Sequence, residues 1–92
     1  MDTLSPQERE SLRSELSDWS LDGEVLRRTF EFEDFVAAVG FVVRVGILSE
    51  KANHHPDIDI RWNKVSLALT THDSDGLTDR DATLARKIDA LG

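Results

Sequence analysis

The residues best equipped for chemistry are three histidines in the second half of the chain: the adjacent pair His54 and His55, followed by Pro56, and His72. An imidazole with an ordinary pKa of about 6.5 both gives and takes protons near neutrality, so a cluster of them suits general acid–base catalysis. Two other readings stand beside that one. With the carboxylates Asp57, Asp59 and Asp73 nearby, the same imidazoles form a ligand set for a metal ion. A histidine at a strand end also commonly serves as no more than a solvated or capping side chain.

Whether the histidines can act together depends on the segment between them. Ile58, Ile60 and Trp62, then Val65, Leu67 and Leu69, alternate on either side of Asn63 and Lys64, the pattern of a β-hairpin. With Asn63 and Lys64 as a two-residue loop, Trp62 faces Val65, Ile60 faces Leu67 and Ile58 faces Leu69 on one buried face, which makes Trp62 a core residue. Continued outward, this register sets His55 opposite His72, and the three imidazoles share one end of the sheet. Pro56 cannot donate a ladder hydrogen bond, so it interrupts the pairing. By fixing its own φ it also pushes His55 towards an extended conformation.

Other elements must frame that hairpin. Ser5, Pro6, Gln7 and Glu8 have the form of a helix start, with a side-chain cap, a proline in the first turn and a glutamate able to reach back. The helix is expected to run to about Ser17, with Leu12 and Leu16 as one narrow buried stripe. Trp19 to Leu21, then Asp22 and Gly23, then Leu26, Phe30 and Phe32 read as a first hairpin. Arg28, on the parity of Leu26 and Phe30, is its one irregularity. From Glu33 to Asn53 the run Val42, Val43, Arg44, Val45 has strand propensity, but the length of the segment favours a helix. Its acids Glu33 and Asp34 at one end and Lys51 at the other agree with the helix dipole.

Phe35 to Leu48 is apolar almost all round, with Arg44 the one charge. About 14 residues fall short of the roughly 20 that a membrane span needs, so this is not a membrane segment. One face of such a helix packs on a sheet, and the other implies a subunit interface, unless the N-terminal helix or a loop covers it. Finally Thr78 caps a helix carrying Leu84, Ile88 and Leu91 nearly to Gly92, with Asp81 as the expected capping carboxylate.

Composition bounds the partners. The chain has 92 residues, one small domain over 1–92, and a net charge of −7, with basic residues interleaved among acids. That excludes a generic binder of the nucleic-acid backbone. With 39% apolar residues the chain has enough apolar surface to fold as a soluble globular domain. The absence of cysteine excludes a disulfide scaffold and fits a cytoplasmic setting. Met1 to Ser11 carries acids and no apolar run, unlike a secretory signal or transit peptide.

One resemblance goes further. Glu50, Lys51, Ala52, Asn53, His54, His55, Pro56 and Asp57, then Trp62 and Val65, then Thr71, His72 and Asp73, and Gly76, Leu77 and Thr78 through Asp81 resemble the signature of the pterin-4a-carbinolamine dehydratases. Phe30, Phe32, Phe35, Leu84, Ala85 and Ile88 extend the likeness over about Trp19 to Leu91. Gly46 and Ser49 depart from it where alanine is common, and Asp75 where glycine is common.

The resemblance implies a hydro-lyase that converts 4a-hydroxytetrahydrobiopterin, or a related 4a-hydroxytetrahydropterin, to the quinonoid dihydropterin. That would recycle the cofactor of aromatic amino acid hydroxylases. Such a dehydration needs an acid and a base but no metal or redox cofactor. It implies His54 and His72 as the acid–base pair, His55 as a catalytic and chiefly substrate-binding residue, Pro56 and Glu50 as substrate-binding positions, and Asp81 as a residue that orients a histidine or, as a substrate-binding position, contacts the pterin. It also implies assembly as a homodimer or homotetramer, and its alternative is a non-catalytic protein-binding module, a transcription-factor dimerisation cofactor or an assembly chaperone. The fold expected is α+β: a four-stranded antiparallel sheet with three helices on one face, in the order α-β-β-α-β-β-α.

Overall fold

Local signals at the helix ends set the frame of the molecule, a computed structural model that describes residues 2–91. Met1 and Gly92, the two ends of the expected domain, lie outside the described residues. Ser5 caps α1 (Pro6–Glu15) by accepting from the Glu8 amide, while Glu8 accepts in return from the Ser5 amide. Asp34 caps α2 (Phe35–Ala52) by accepting from Ala37 N–H at 2.8 Å. Thr78 and Asp81 form a second reciprocal box at the start of α3 (Asp79–Asp89). Each device satisfies amide donors that have no partner within the helix.

Between the helices lie β1 (Ser20–Asp22), β2 (Val25–Glu31), β3 (Asp57–Arg61) and β4 (Lys64–Leu69), plus a short 3-10 turn at His72–Ser74. The strands form one antiparallel sheet in the order β1-β2-β4-β3. The fold class and element order are those the sequence implies. Leu26, Val65, Leu67 and Leu69 are buried under the helices, and meet Ala38, Phe41 and Val45 of α2 and Leu84, Ala85 and Ile88 of α3. Leu12 and Leu16 are the buried stripe of the N-terminal helix.

Arg28, the irregular inward residue of β2, is accommodated rather than excluded. Its Nη1 donates to Asp89 Oδ1 at 2.8 Å, beside the Trp19 Nε1 donor at the same oxygen, and its guanidinium lies over the Phe30 ring at 4.1 Å. A partly buried cation thus gains a charge partner and an aromatic face.

The second hairpin turns one residue earlier than its polar residues suggest. Arg61 pairs with Lys64, Ile60 with Val65 and Ile58 with Leu67, so the loop is Trp62 and Asn63. Asn63 is drawn inward, because its side-chain amide donates to Phe32 O at 2.9 Å and its carbonyl accepts from Phe32 N–H at 2.8 Å. Trp62 takes the left-handed turn position, with φ 51°, and is 68% exposed. The expected core role of Trp62 is therefore overturned by a long-range anchor of its neighbour. Moving the turn by one residue shifts each cross-strand pair by two positions, which keeps the same side chains inward.

On α2, Val36, Val39, Val43 and Ile47, with Phe35 at its start, are exposed and lie along one stripe. Among the described residues, neither α1 nor a loop shields it from solvent, the covering that the sequence had allowed.

Candidate active site

The chain reverses direction between α2 and β3, and this turn aims the first two histidines. Asn53 ends α2 in the left-handed conformation, φ 50°, a geometry that asparagine tolerates better than most residues. The chain then folds back so that His54 N–H donates to Ser49 O at 3.1 Å. Pro56 is buried and precedes the first paired residue of β3.

At the end of β4 a bridge between Thr71 and Gly76 closes the loop that carries His72. His54, His55 and His72 thereby line one open hollow of about 360 Å³ together with Asn53, Thr70, Thr71, Asp73 and Arg80. Gathering at one sheet end is as the sequence implies; a direct His55–His72 pairing is not. The shifted turn and Pro56 end the β3 ladder at Asp57, and His72 lies in the 3-10 turn instead.

His54 is a buried part of the lining, and Asp81 lies behind it. His54 is 8% exposed and Asp81 0%, and His54 Nε2 lies 2.5 Å from Asp81 Oδ1. Asp81 Oδ2 accepts from Thr71 Oγ1 at 2.7 Å and from Thr78 N–H at 3.0 Å. Thr71 has one hydroxyl proton and spends it on Asp81, so the 2.8 Å contact between the two threonine hydroxyls has Thr78 as donor. With Oδ2 already accepting two donors, the consistent assignment at Oδ1 is donation by His54 Nε2–H. A neutral His54 then keeps Nδ1 as its acceptor nitrogen.

The rim is open. His55 and His72 are exposed. Glu50 Oε1 lies 3.7 Å from His55 Nε2, with both side chains well exposed, so it faces that histidine without closing on it. Arg80 escaped the sequence reading: it lines the hollow, and its Nη2 donates to Asn53 O at 2.5 Å. One signal was available, since a cation between Asp79 and Asp81 in the first turn of a helix opposes the dipole and asks for another reason. Thr71 was also missed as the link between β4 and Asp81. The carboxylates named for a metal do not gather, and no group of three or more potential ligands among the described residues could hold an ion.

Comparison with known proteins agrees with the motif. A protein of Acidobacterium capsulatum, provisionally named pterin-4-alpha-carbinolamine dehydratase, is 52% identical over 91 residues, covering 99% of each chain. One of Roseiflexus sp. (strain RS-1), named in the same provisional way, is 50% identical over 88 residues, 96% of this chain and 95% of the relative. The crystal structure of a transcriptional coactivator/pterin dehydratase from Brucella melitensis superposes with a TM-score of 0.92 at 34% identity, covering 98% of each chain. A pterin dehydratase-like protein identified as a RuBisCO assembly factor in the alpha-carboxysome shares the fold, with a TM-score of 0.66 at 23% identity over 79% of this chain and 84% of its own. The pattern described as Pterin 4 alpha carbinolamine dehydratase matches residues 2–91, and with these relatives it establishes that the chain belongs to that family.

Proposed function

We propose that this protein, a single domain, is a hydro-lyase that removes water from a 4a-hydroxytetrahydropterin, such as 4a-hydroxytetrahydrobiopterin, to give the quinonoid dihydropterin. The observation that carries the reading is the buried His54, backed by Asp81, in the wall of a hollow that it shares with the other two histidines. Elimination from C4a breaks the C4a–O bond and a pterin N–H bond. Oxygen leaves as water with a proton from an acid, and the nitrogen proton goes to a base, with no change in oxidation state. His54 is the base, because its Nε2–H is committed to Asp81 and its Nδ1 lone pair is left for the substrate. His72, in its protonated form on the rim, is the acid. His55 binds the pterin with Glu50 behind it, and Pro56 sets its extended backbone. Asp81 touches His54 rather than the pterin, so it positions the base.

The exposed stripe of α2 favours assembly into a homodimer or homotetramer, since apolar surface of this extent commonly marks a contact. The same stripe supports a second reading, a protein-binding module, as does the coactivator named beside the dehydratase for the Brucella melitensis structure. The lack of cysteine accords with a cytoplasmic setting, and the family resemblance adds a role in recycling the cofactor of an aromatic amino acid hydroxylase. No helix of the described residues is long and apolar enough to cross a membrane.

Ultraviolet absorbance decides between the readings. Purified protein added to a freshly generated 4a-hydroxytetrahydropterin is expected to speed quinonoid formation at least about 100-fold, the lower reach of positioned acid–base groups. A rate equal to the spontaneous one would leave the protein-binding reading in its place.

A further inference from the structure

Glu24 sits in the tight turn between β1 and β2, at the opposite end of the sequence from the histidines, yet it grips the loop that carries His72. Its backbone carbonyl accepts from Thr70 Oγ1 at 2.7 Å, and its Oε1 accepts from Leu77 N–H at 3.2 Å. Thr70 and Leu77 flank the neck of that loop, which is closed by the Thr71–Gly76 bridge with N···O distances of 3.1 and 3.3 Å. One residue therefore holds both sides of the neck.

The carboxylate is itself held in place. Arg9 Nη2 donates to Glu24 Oε1 at 2.8 Å, Nη1 to Gly23 O at 3.3 Å and Nε to Leu4 O at 3.0 Å. Leu4 N–H in turn donates to Leu77 O at 2.8 Å. The Arg9 bond, then the Leu77 amide, hold the Glu24 carboxyl below its ordinary value. Gly76 fits the same arrangement, because a Cβ there would fall on Glu24 Oε1.

The loop has few other ties. Thr71 anchors its N-terminal side to Asp81, whereas among the described residues Ser74 and Asp75 hydrogen-bond only back to Thr71 and His72. On its C-terminal side Gly76 is bridged to Thr71, the Leu77 side chain is buried in the core, and the Leu77 backbone is held by Glu24 and Leu4.

We infer that Glu24, fixed by Arg9, is a positioning residue that sets the place of His72 over the hollow. The kinetic part of this inference rests on the proposed dehydratase reading; the structural part does not. Misplacing a catalytic group by about 1 Å can cost up to roughly 100-fold in rate, and the Thr71 anchor remains. Glu24→Ala is therefore expected to lower kcat about 10-fold with KM within about 2-fold, since His72 acts on the leaving oxygen rather than in holding the ring. Glu24→Gln keeps an oxygen for the Leu77 amide and should recover part of the loss. Gly76→Ala, which displaces the carboxylate without removing it, should match Glu24→Ala. Glu15→Gln breaks the comparable Glu15–Arg86 pair between α1 and α3 and should leave kcat unchanged.

Nuclear magnetic resonance on the same proteins gives a readout that needs no activity. Exchange of the Leu77 amide is expected to rise about 10-fold in Glu24→Ala, with shifted His72 imidazole signals and unmoved His54 signals. Unmoved His72 signals in folded Glu24→Ala and Gly76→Ala overturn the inference, even if the unmodified protein has no dehydratase activity. Moved signals with normal kcat in an active enzyme overturn it equally, because the loop would then be tied for stability alone. Loss of activity in the unmodified protein, with the signals moving as described, counts against the dehydratase reading and not against the clamp.

Discussion

Replacing Asp81 by asparagine should separate the chemistry of the site from its scaffold. The side chain keeps its shape, but one carboxylate oxygen becomes an NH2 donor. Two donors, Thr71 Oγ1 at 2.7 Å and Thr78 N–H at 3.0 Å, converge on Oδ2, so the remaining amide oxygen stays there. The NH2 must then face His54 Nε2, at a site now separated by 2.5 Å. His54 can accept that bond only by moving its own proton to Nδ1, the nitrogen assigned to the base.

The magnitudes follow from this change. Three charge-assisted hydrogen bonds become neutral ones, at about 1 kcal/mol each, so stability should fall by roughly 2–3 kcal/mol. Loss of the base should lower kcat about 100-fold or more, which is ~2.7 kcal/mol or more of barrier. Asp81→Ala instead strands three buried donors and should cost roughly 3–5 kcal/mol, a large part of the stability of a small domain. The assay is absorbance-followed dehydration beside a urea melt, with the imidazole nitrogen shifts of His54 reporting its tautomer. Folded Asp81→Asn protein that works within about threefold of the unmodified rate would refute the tautomer argument.

Other perturbations test the remaining links. Trp62→Gly should hold or raise stability, by up to about 1 kcal/mol, because glycine relieves the left-handed turn position and little packing is lost; a clearly lower urea midpoint would mean that the ring is packed in the fold. Val43→Glu, in the exposed stripe of α2, should shift sedimentation from an oligomer towards a monomer while the fold is kept; an unmodified protein that sediments as a monomer at all concentrations would contradict this.

Acid should weaken the tie between α1 and α3. The Arg86 hydrogen bond holds the Glu15 carboxyl below its ordinary value of 4.5, so its contribution is complete above that pH and is lost as pH falls through the lower, folded value. Urea midpoints of the unmodified protein and Glu15→Gln should therefore differ at about pH 6, and the difference should shrink as pH falls below the ordinary carboxyl value.

What could be read in advance follows the locality of each signal. The caps Ser5 and Thr78 and the length of α2 depend on neighbours within a few residues, and they formed as expected; Asp34, read only as an acid suited to the helix dipole, is itself the cap of α2. Alternation placed Ile58, Ile60, Val65 and Leu67 on the inner face even though the turn was misplaced, because parity survives a one-residue shift of the turn. The turn itself was decided by Phe32, far from Asn63 in sequence, whose backbone captures the asparagine and leaves Trp62 outside.

The same distinction holds at the site. Clustering of His54, His55 and His72 was legible from the hairpin. The capping role of Asp81 was legible from its spacing to Thr78, and the resemblance added that it orients a histidine or contacts the pterin; which histidine it holds was not legible. Its second partner, His54, lies on another element and becomes visible only when α2, β4 and α3 meet.

The most direct test of the central claim is the dehydration rate of His54→Ala and His72→Ala, each first shown to fold as the unmodified protein does. If these two imidazoles are the base and the acid, each variant should lose at least about 100-fold in kcat. Full activity in either one would contradict the assignment of that histidine, and full activity in both would mean that the water is removed by other groups.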